Sequence, residues 1–181
     1  MIRVPIVASV TFLARSREFA ARPATEPPGR GPARPGTITV MTVTASAPST
    51  THQIRVLLYS DDVTTRDAVR LAVGRRPASD VEVVGWLECA THAAAVAAAD
   101  SGGYDVFVLD GEATPMGGMG LCRQLKNEIH QCPPILVLTG RPQDGWLATW
   151  SQADLVVPHP LDPVAVAGAV AALARSARRA G

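Results

Sequence analysis

The sequence predicts an α/β domain on a parallel sheet, and three observations carry that reading. Apolar runs with β-branched content, such as 54–59 (IRVLLY) and 104–109 (YDVFVL), are continuous rather than alternating. That pattern suits strands covered on both faces. Between the runs lie stretches with helical spacing or strong helix preference. Five strand–helix units follow one another at about 25 residues each, which implies right-handed crossovers and strands that all point the same way.

Taken in order, the first strand is 54–59 and stops at the polar triplet Ser60-Asp61-Asp62. Residues 64–74 follow as a helix, with Ala68, Val69, Ala72 and Val73 on one face. The run 81–87 (VEVVGWL) is the second strand, and the Ala-rich run 93–99 is a helix stopped by Gly102-Gly103. The third strand, 104–109, ends at Asp110, and a Gly-rich loop leads to a helix over about 118–129. Residues 135–138 form the fourth strand, closed by Thr139-Gly140, with a short helix near 144–152 after it. The fifth strand is 155–157. Asp162-Pro163 starts the last helix, since proline at the first helical position loses an N–H that has no partner there anyway. Near its end, at about 178, Arg175, Arg178 and Arg179 complement the helix dipole.

Composition limits the function classes. Apolar residues make up 47% and aromatics 4%, so the core is one of Ala, Val and Leu. Basic side chains number 17 and acidic ones 16, leaving no excess to steer the chain onto nucleic acid or membrane. The balance is uneven along the chain. Residues 1–40 hold six Arg against Glu18 and Glu26, a net +4, while the remainder is −3. Residues 22–36 contain five Pro and three Gly, so 1–52 reads as a disordered basic extension preceding a domain over 53–178. Met41 is an alternative start, and the apolar stretch from Val4 to Ala14 lacks the cleavage site of a signal peptide. Cys89, Cys122 and Cys132 are odd in number and show no metal-ligand spacing, which fits buried thiols in a reducing cytoplasm.

Open parallel sheets place their chemistry at the carboxyl ends of the strands. The polar residues there are Ser60, Asp61, Asp62, Asp110, Thr139 and His159. An acidic cluster after strand one, a lone Asp after strand three, a Thr after strand four and an X-Pro after strand five form an ordered set. It resembles the receiver domain of bacterial response regulators over the whole body of the chain. The resemblance implies a flavodoxin-like, doubly wound (βα)5 sheet in the order 2-1-3-4-5. It also implies two-component signalling, with Asp110 accepting a phosphoryl group from a histidine kinase or phosphotransfer protein. Thr139 would hydrogen-bond that group, and Mg2+ would sit on Asp61, Asp110 and the backbone carbonyl of Glu112.

Departures from the family pattern are as informative. Counting back from Arg66 places Asp61 at the second acid position and Ser60 at the first, with Asp62 outside the metal site. On that register one carboxylate is missing and Mg2+ affinity should fall, whereas a one-residue slip would restore both acids. His159 stands where the family has Lys, and an imidazole titrates near neutrality whereas Lys stays charged. Pro115 lies five residues after Asp110 rather than four. Taking Gly120 as the counterpart of a glycine expected eight residues after the Asp suggests a two-residue insertion. The family's switch aromatic falls on Val156.

Trp146 and Trp150, at i and i+4, share a face of the fourth helix and mark a partner surface or a homodimer contact made by helix 4, strand 5 and helix 5. The bland alternative is that one or both are core residues. Ending soon after the last helix, the chain is expected to carry no output domain and to signal by protein contact. Other readings compete. With Ser60 and His159 substituted, the chain could be a phosphorylation-independent pseudo-receiver that serves as a protein-binding module. Asp61, Asp110 and His159 could bind a transition metal. Residues 107–114 (FVLDGEAT) also look like the first motif of haloacid dehalogenase-type phosphatases, although the sole Lys126 comes too soon for that family. A flavodoxin-like cofactor binder would need a phosphate cradle where the acidic triplet stands. No enzymatic turnover is expected beyond phosphorylation and dephosphorylation of Asp110 itself.

Overall fold

A computed structural model of the protein describes residues 51–180. The expectations placed on the head of the chain, including the start at Met41, fall outside those residues. Five strands, β1 (His52–Tyr59), β2 (Val81–Cys89), β3 (Val106–Asp110), β4 (Ile135–Thr139) and β5 (Leu155–Pro158), alternate with five helices. The helices are α1 (Val63–Val73), α2 (His92–Ser101), α3 (Gly118–Glu128), α4 (Gly145–Ser151) and α5 (Pro163–Ala180). All strand pairs are parallel, in the order β2-β1-β3-β4-β5. The doubly wound sheet expected from the sequence is present.

Alternate residues of each strand point to opposite faces, so a continuous apolar run feeds two cores at once. Ile54, Val56, Leu58, Val108, Leu136 and Leu138 pack with Val69 and Val73 of α1 and with Val166, Val170 and Leu173 of α5. Leu57, Tyr59, Phe107, Leu109 and Val137 pack on the other face against α2 and α3. There α2 contributes only Ala95, Ala98 and Ala99 as buried residues, and short side chains allow a helix to lie close to the sheet.

Element ends follow local chemistry. Asp62 caps α1 by accepting from the Thr64 N–H at 2.9 Å, and Thr91 caps α2 through the Ala94 N–H at 3.3 Å. Gly102 and Gly103 stop α2 with φ of +71° and +84°, a region where L side chains are strained. Boundaries moved by up to two residues: β1 starts at His52 rather than 54, and β3 at Val106 rather than 104. β2 runs on to Cys89, and Val84 forms an irregularity between the pairs Ile54↔Val83 and Arg55↔Gly85. The fourth helix is shorter than expected because Pro142–Asp144 forms a 3-10 turn before α4.

A bidentate ion pair ties α5 to the start of β2. Arg175 donates to the two Asp80 carboxylate oxygens at 2.9 and 2.6 Å. The guanidinium holds the Asp80 carboxyl down at about 2. An acid with a depressed folded-state pKa adds stability above its unfolded value of ~3.9, and loses it as pH falls through the folded value. Asp80→Asn should therefore melt below wild type at pH 6, and the two melting curves should converge as pH falls towards 2. A constant gap across that range, read by circular dichroism, would show that the pair does not act through charge.

Candidate functional site

The parallel topology brings the ends of β1, β3, β4 and β5 to one edge of the sheet. Asp110, the last residue of β3, is 3% exposed. Its Oδ2 accepts from the hydroxyl of fully buried Ser60 at 2.7 Å, and its Oδ1 accepts from the Glu112 N–H at 3.0 Å. Buried carboxylates need such donors, because even a neutral polar group left unsatisfied costs roughly 2–7 kcal/mol and a charged one more. Among the described residues no ion pair reaches Asp110.

The acidic triplet divides as the spacing from Arg66 implied. Ser60 faces Asp110, while Asp62 is spent on capping α1 and on the Thr65 hydroxyl at 3.1 Å. Arg66 donates to the Ser60 carbonyl at 2.7 Å and pairs with Glu88 at 3.2 Å, which fixes the β1–α1 turn. Asp61 is exposed and accepts from the Thr114 hydroxyl at 2.5 Å, a bond that holds its carboxyl below the usual range. Burial, and next the Asp61 and Asp110 charges, push the Tyr59 phenol up; its hydroxyl donates to the Met116 carbonyl. Two negative side chains thus converge beneath the β3–α3 loop.

Thr139 is 1% exposed, and its hydroxyl is buried without a hydrogen-bond partner. It lies one strand over from Asp110, which pairs with Leu138. Glu112, singled out for its backbone carbonyl, also places its carboxylate on the Gly140 N–H at 3.2 Å. His159 follows β5, and its N–H donates to the Thr139 carbonyl at 2.7 Å. The His159–Pro160 bond is cis, as is Thr114–Pro115. The His159 ring makes no hydrogen bond to Asp110; it lines a groove of about 260 Å³ with Thr64, Thr65, Ala68, Pro160 and Leu161. The transition-metal reading of Asp61, Asp110 and His159 is therefore corrected: among the described residues no three potential ligands of this kind stand together.

The loop after Asp110 corrects a second expectation. A Cβ on Gly118 would lie 2.6 Å from the Asp110 carbonyl oxygen and 2.9 Å from the Leu109 carbonyl carbon. A Cβ on Gly120 would meet only the Met116 sulfur, at 3.9 Å. Of the two, Gly118, eight residues after Asp110, is the one whose Cβ the β3 backbone excludes, so the two-residue insertion is not there. Sequence reasoning took Gly120 because it precedes Leu121; the close approach of α3 to β3 is the signal it lacked. Thr114 and the Glu112 side chain entered the sequence reading only through the phosphatase-like motif, and their contacts across loops were missed.

Lys126, which a phosphatase would need near the nucleophile, pairs with Asp154 at 2.6 Å. The core reading of the tryptophans is excluded, for Trp146 is 68% exposed and Trp150 52%. The Arg123 guanidinium stacks 4.7 Å from the centre of the Trp150 ring and donates to that residue's carbonyl at 2.6 Å. Cys89 and Cys122 are buried and Cys132 is half-buried, and burial pushes Cys122 up to about 11. No described helix is long and apolar enough to cross a membrane.

Comparison with known proteins decides the family. No protein-family model matches. Over 129 residues the chain is 49% identical to uncharacterised response regulatory proteins from two strains of Mycobacterium tuberculosis, covering 71% of this chain and 97% of theirs. The chain belongs to the response regulator receiver family. Solved structures agree on the fold. A CheY-like receiver domain from Methanospirillum hungatei superposes with a TM-score of 0.57 at 16% identity, over 71% of this chain and 99% of that one. A Francisella receiver domain gives 0.58 at 16% identity, over 68% and 98%. A LuxR-family two-component response regulator from Aurantimonas gives 0.58 at 23% identity, over 68% and 86%. Asp61, Asp110 and the Glu112 backbone carbonyl supply hard oxygen donors. Such a set fits Mg2+, which keeps several waters and needs one or two carboxylates.

Proposed function

We propose that this receiver accepts a phosphoryl group on Asp110 from a phosphohistidine of a kinase or phosphotransfer protein, and passes the signal on by protein contact. One observation carries the reading. A buried carboxylate at the end of β3 is held by two donors, with an unpartnered buried hydroxyl, Thr139, one strand away. In the step, an Asp110 oxygen attacks phosphorus, the P–N bond to imidazole breaks, and the departing ring keeps that electron pair and takes up a proton. Ser60 and the Glu112 N–H fix which Asp110 oxygens are engaged, and Thr139 offers a hydroxyl to the transferred group. Mg2+, on Asp61, Asp110 and the Glu112 carbonyl, would neutralise charge between the two anions.

Incubation with a small phosphodonor and Mg2+ should add about 80 Da to the wild-type protein and nothing to Asp110→Asn. A wild-type mass that never changes would instead favour a pseudo-receiver that binds partners without phosphorylation. That second reading draws on Ser60 in an acid position and on a His159 ring with no bond to Asp110.

The exposed Trp146 and Trp150 of α4, the second of them stacked on Arg123 of α3, are the contact surface in this scheme. Trp146→Ala with Trp150→Ala should change folding stability by about 1 kcal/mol or less, because exposed side chains lose little on truncation. If the contact is a homodimer, sedimentation will show the pair variant as monomer under conditions that dimerise wild type. Equal association of the two would remove this face from the scheme. The protein is read as cytoplasmic.

A further inference from the structure

The Glu112 side chain is not used by the phosphoacceptor reading, yet it occupies a defined place. Its Oε1 accepts from the Gly140 N–H at 3.2 Å. The contact is so close that a Cβ on Gly140 would lie 2.5 Å from the Glu112 Cδ and 2.6 and 2.8 Å from its two oxygens. Gly140 directly follows Thr139, whose hydroxyl is buried and has no partner. The Glu112 N–H meanwhile holds Asp110 Oδ1 at 3.0 Å. One residue therefore grips the nucleophile with its backbone and sets an anion at the neighbouring strand end with its side chain.

We propose that the Glu112 carboxylate is the resident occupant of the Gly140 N–H, the backbone half of an oxyanion seat whose other half, the Thr139 hydroxyl, it leaves unpartnered. It must swing out before that seat can hold a phosphoryl group. The proposal rests on the phosphoacceptor reading and deepens it. A carboxylate and a phosphoryl oxygen are both acceptors only, and the Gly140 N–H has one hydrogen to give. They also carry like charge, so both cannot settle on one donor without a Coulomb cost. Glu112 is exposed, so water can re-solvate it once displaced, and the occupant slows and weakens loading without blocking it. Gly140 is the matching part of the device. The three atoms nearest to an added methyl group there all belong to the mobile end of Glu112, so the group would push the carboxylate off the seat.

The test uses beryllofluoride, a tetrahedral stand-in for a phosphoryl group on a carboxylate, added with Mg2+ and followed by amide NMR. Glu112→Ala and Gly140→Ala should bind it about fivefold tighter than wild type, the scale expected for removing one exposed like charge. Glu112→Gln, which keeps an acceptor but loses the charge, should fall between. Without ligand, the Gly140 amide resonance should move upfield in Glu112→Ala as the charged acceptor leaves. Equal affinity in wild type and Glu112→Ala would overturn the seat while leaving the phosphoacceptor reading intact. Binding by none of the proteins would overturn both.

Discussion

Gly118→Ala is expected to lose about 3 kcal/mol or more of folding stability, a fall of roughly 10 °C in melting temperature. The added methyl carbon has nowhere to go. It would lie 2.6 Å from the Asp110 carbonyl oxygen, 2.7 Å from the Asp110 carbonyl carbon and 2.9 Å from that of Leu109. All three atoms are backbone of β3, a central strand whose five residues are all buried. Relief must come from moving α3, which carries Leu121, Cys122 and Leu125 into the core. Gly120→Ala is the control. Its nearest neighbour is a methionine sulfur at 3.9 Å, and better helix propensity should gain about 0.5 kcal/mol. Thermal melts of the two variants decide between them, and a Gly120→Ala more damaged than Gly118→Ala would refute the assignment.

Ser60→Asp is expected to make stability depend on Mg2+. Ser60 is fully buried and donates to Asp110 Oδ2 at 2.7 Å. The substitution replaces that donor with a second carboxylate, so a hydrogen bond becomes a like-charge contact in a place with little water. Without metal the variant should lose about 2–3 kcal/mol, or keep one carboxyl protonated. A cation that binds only the folded form restores stability, by about 2.7 kcal/mol at a hundredfold excess over its dissociation constant. The wild-type melting temperature should respond less, since it offers one carboxylate fewer. A Ser60→Asp protein that melts with wild type and ignores Mg2+ would show that Ser60 is not an acid position of this site.

How much of this could be read from the chain follows from what each feature depends on. The strands were legible because a residue run buried on both faces has to be apolar throughout, and 106–110 and 135–139 are wholly buried. Asp110 and Thr139 were legible because a polar residue ending such a run has few reasons to be there. The separation of Ser60 and Asp61 from Asp62 followed from counting back from Arg66, and the structure leaves Asp62 to cap α1. The grip of Thr114 on Asp61 and the seat taken by Glu112 were not legible. Both join loops whose paths depend on tertiary packing, across 53 and 28 residues of sequence. Gly118 and Gly120 are identical as letters and differ only in how close α3 passes to β3. The exposure of the tryptophans had the same cause. A seven-residue helix can turn either face inward, and the sequence of α4 alone does not decide which.

Signalling through Asp110 requires an acyl phosphate on its side chain, and borohydride trapping reads that bond directly. Hydride attacks the acyl carbon, phosphate leaves, and further reduction turns the aspartyl side chain into the primary alcohol of homoserine. After treatment with phosphodonor and Mg2+, reduction and digestion, tandem mass spectrometry should find homoserine at position 110 and nowhere else. Homoserine at position 61 or 62, or an unreduced Asp110 in protein that carries the phosphoryl adduct, would contradict the account.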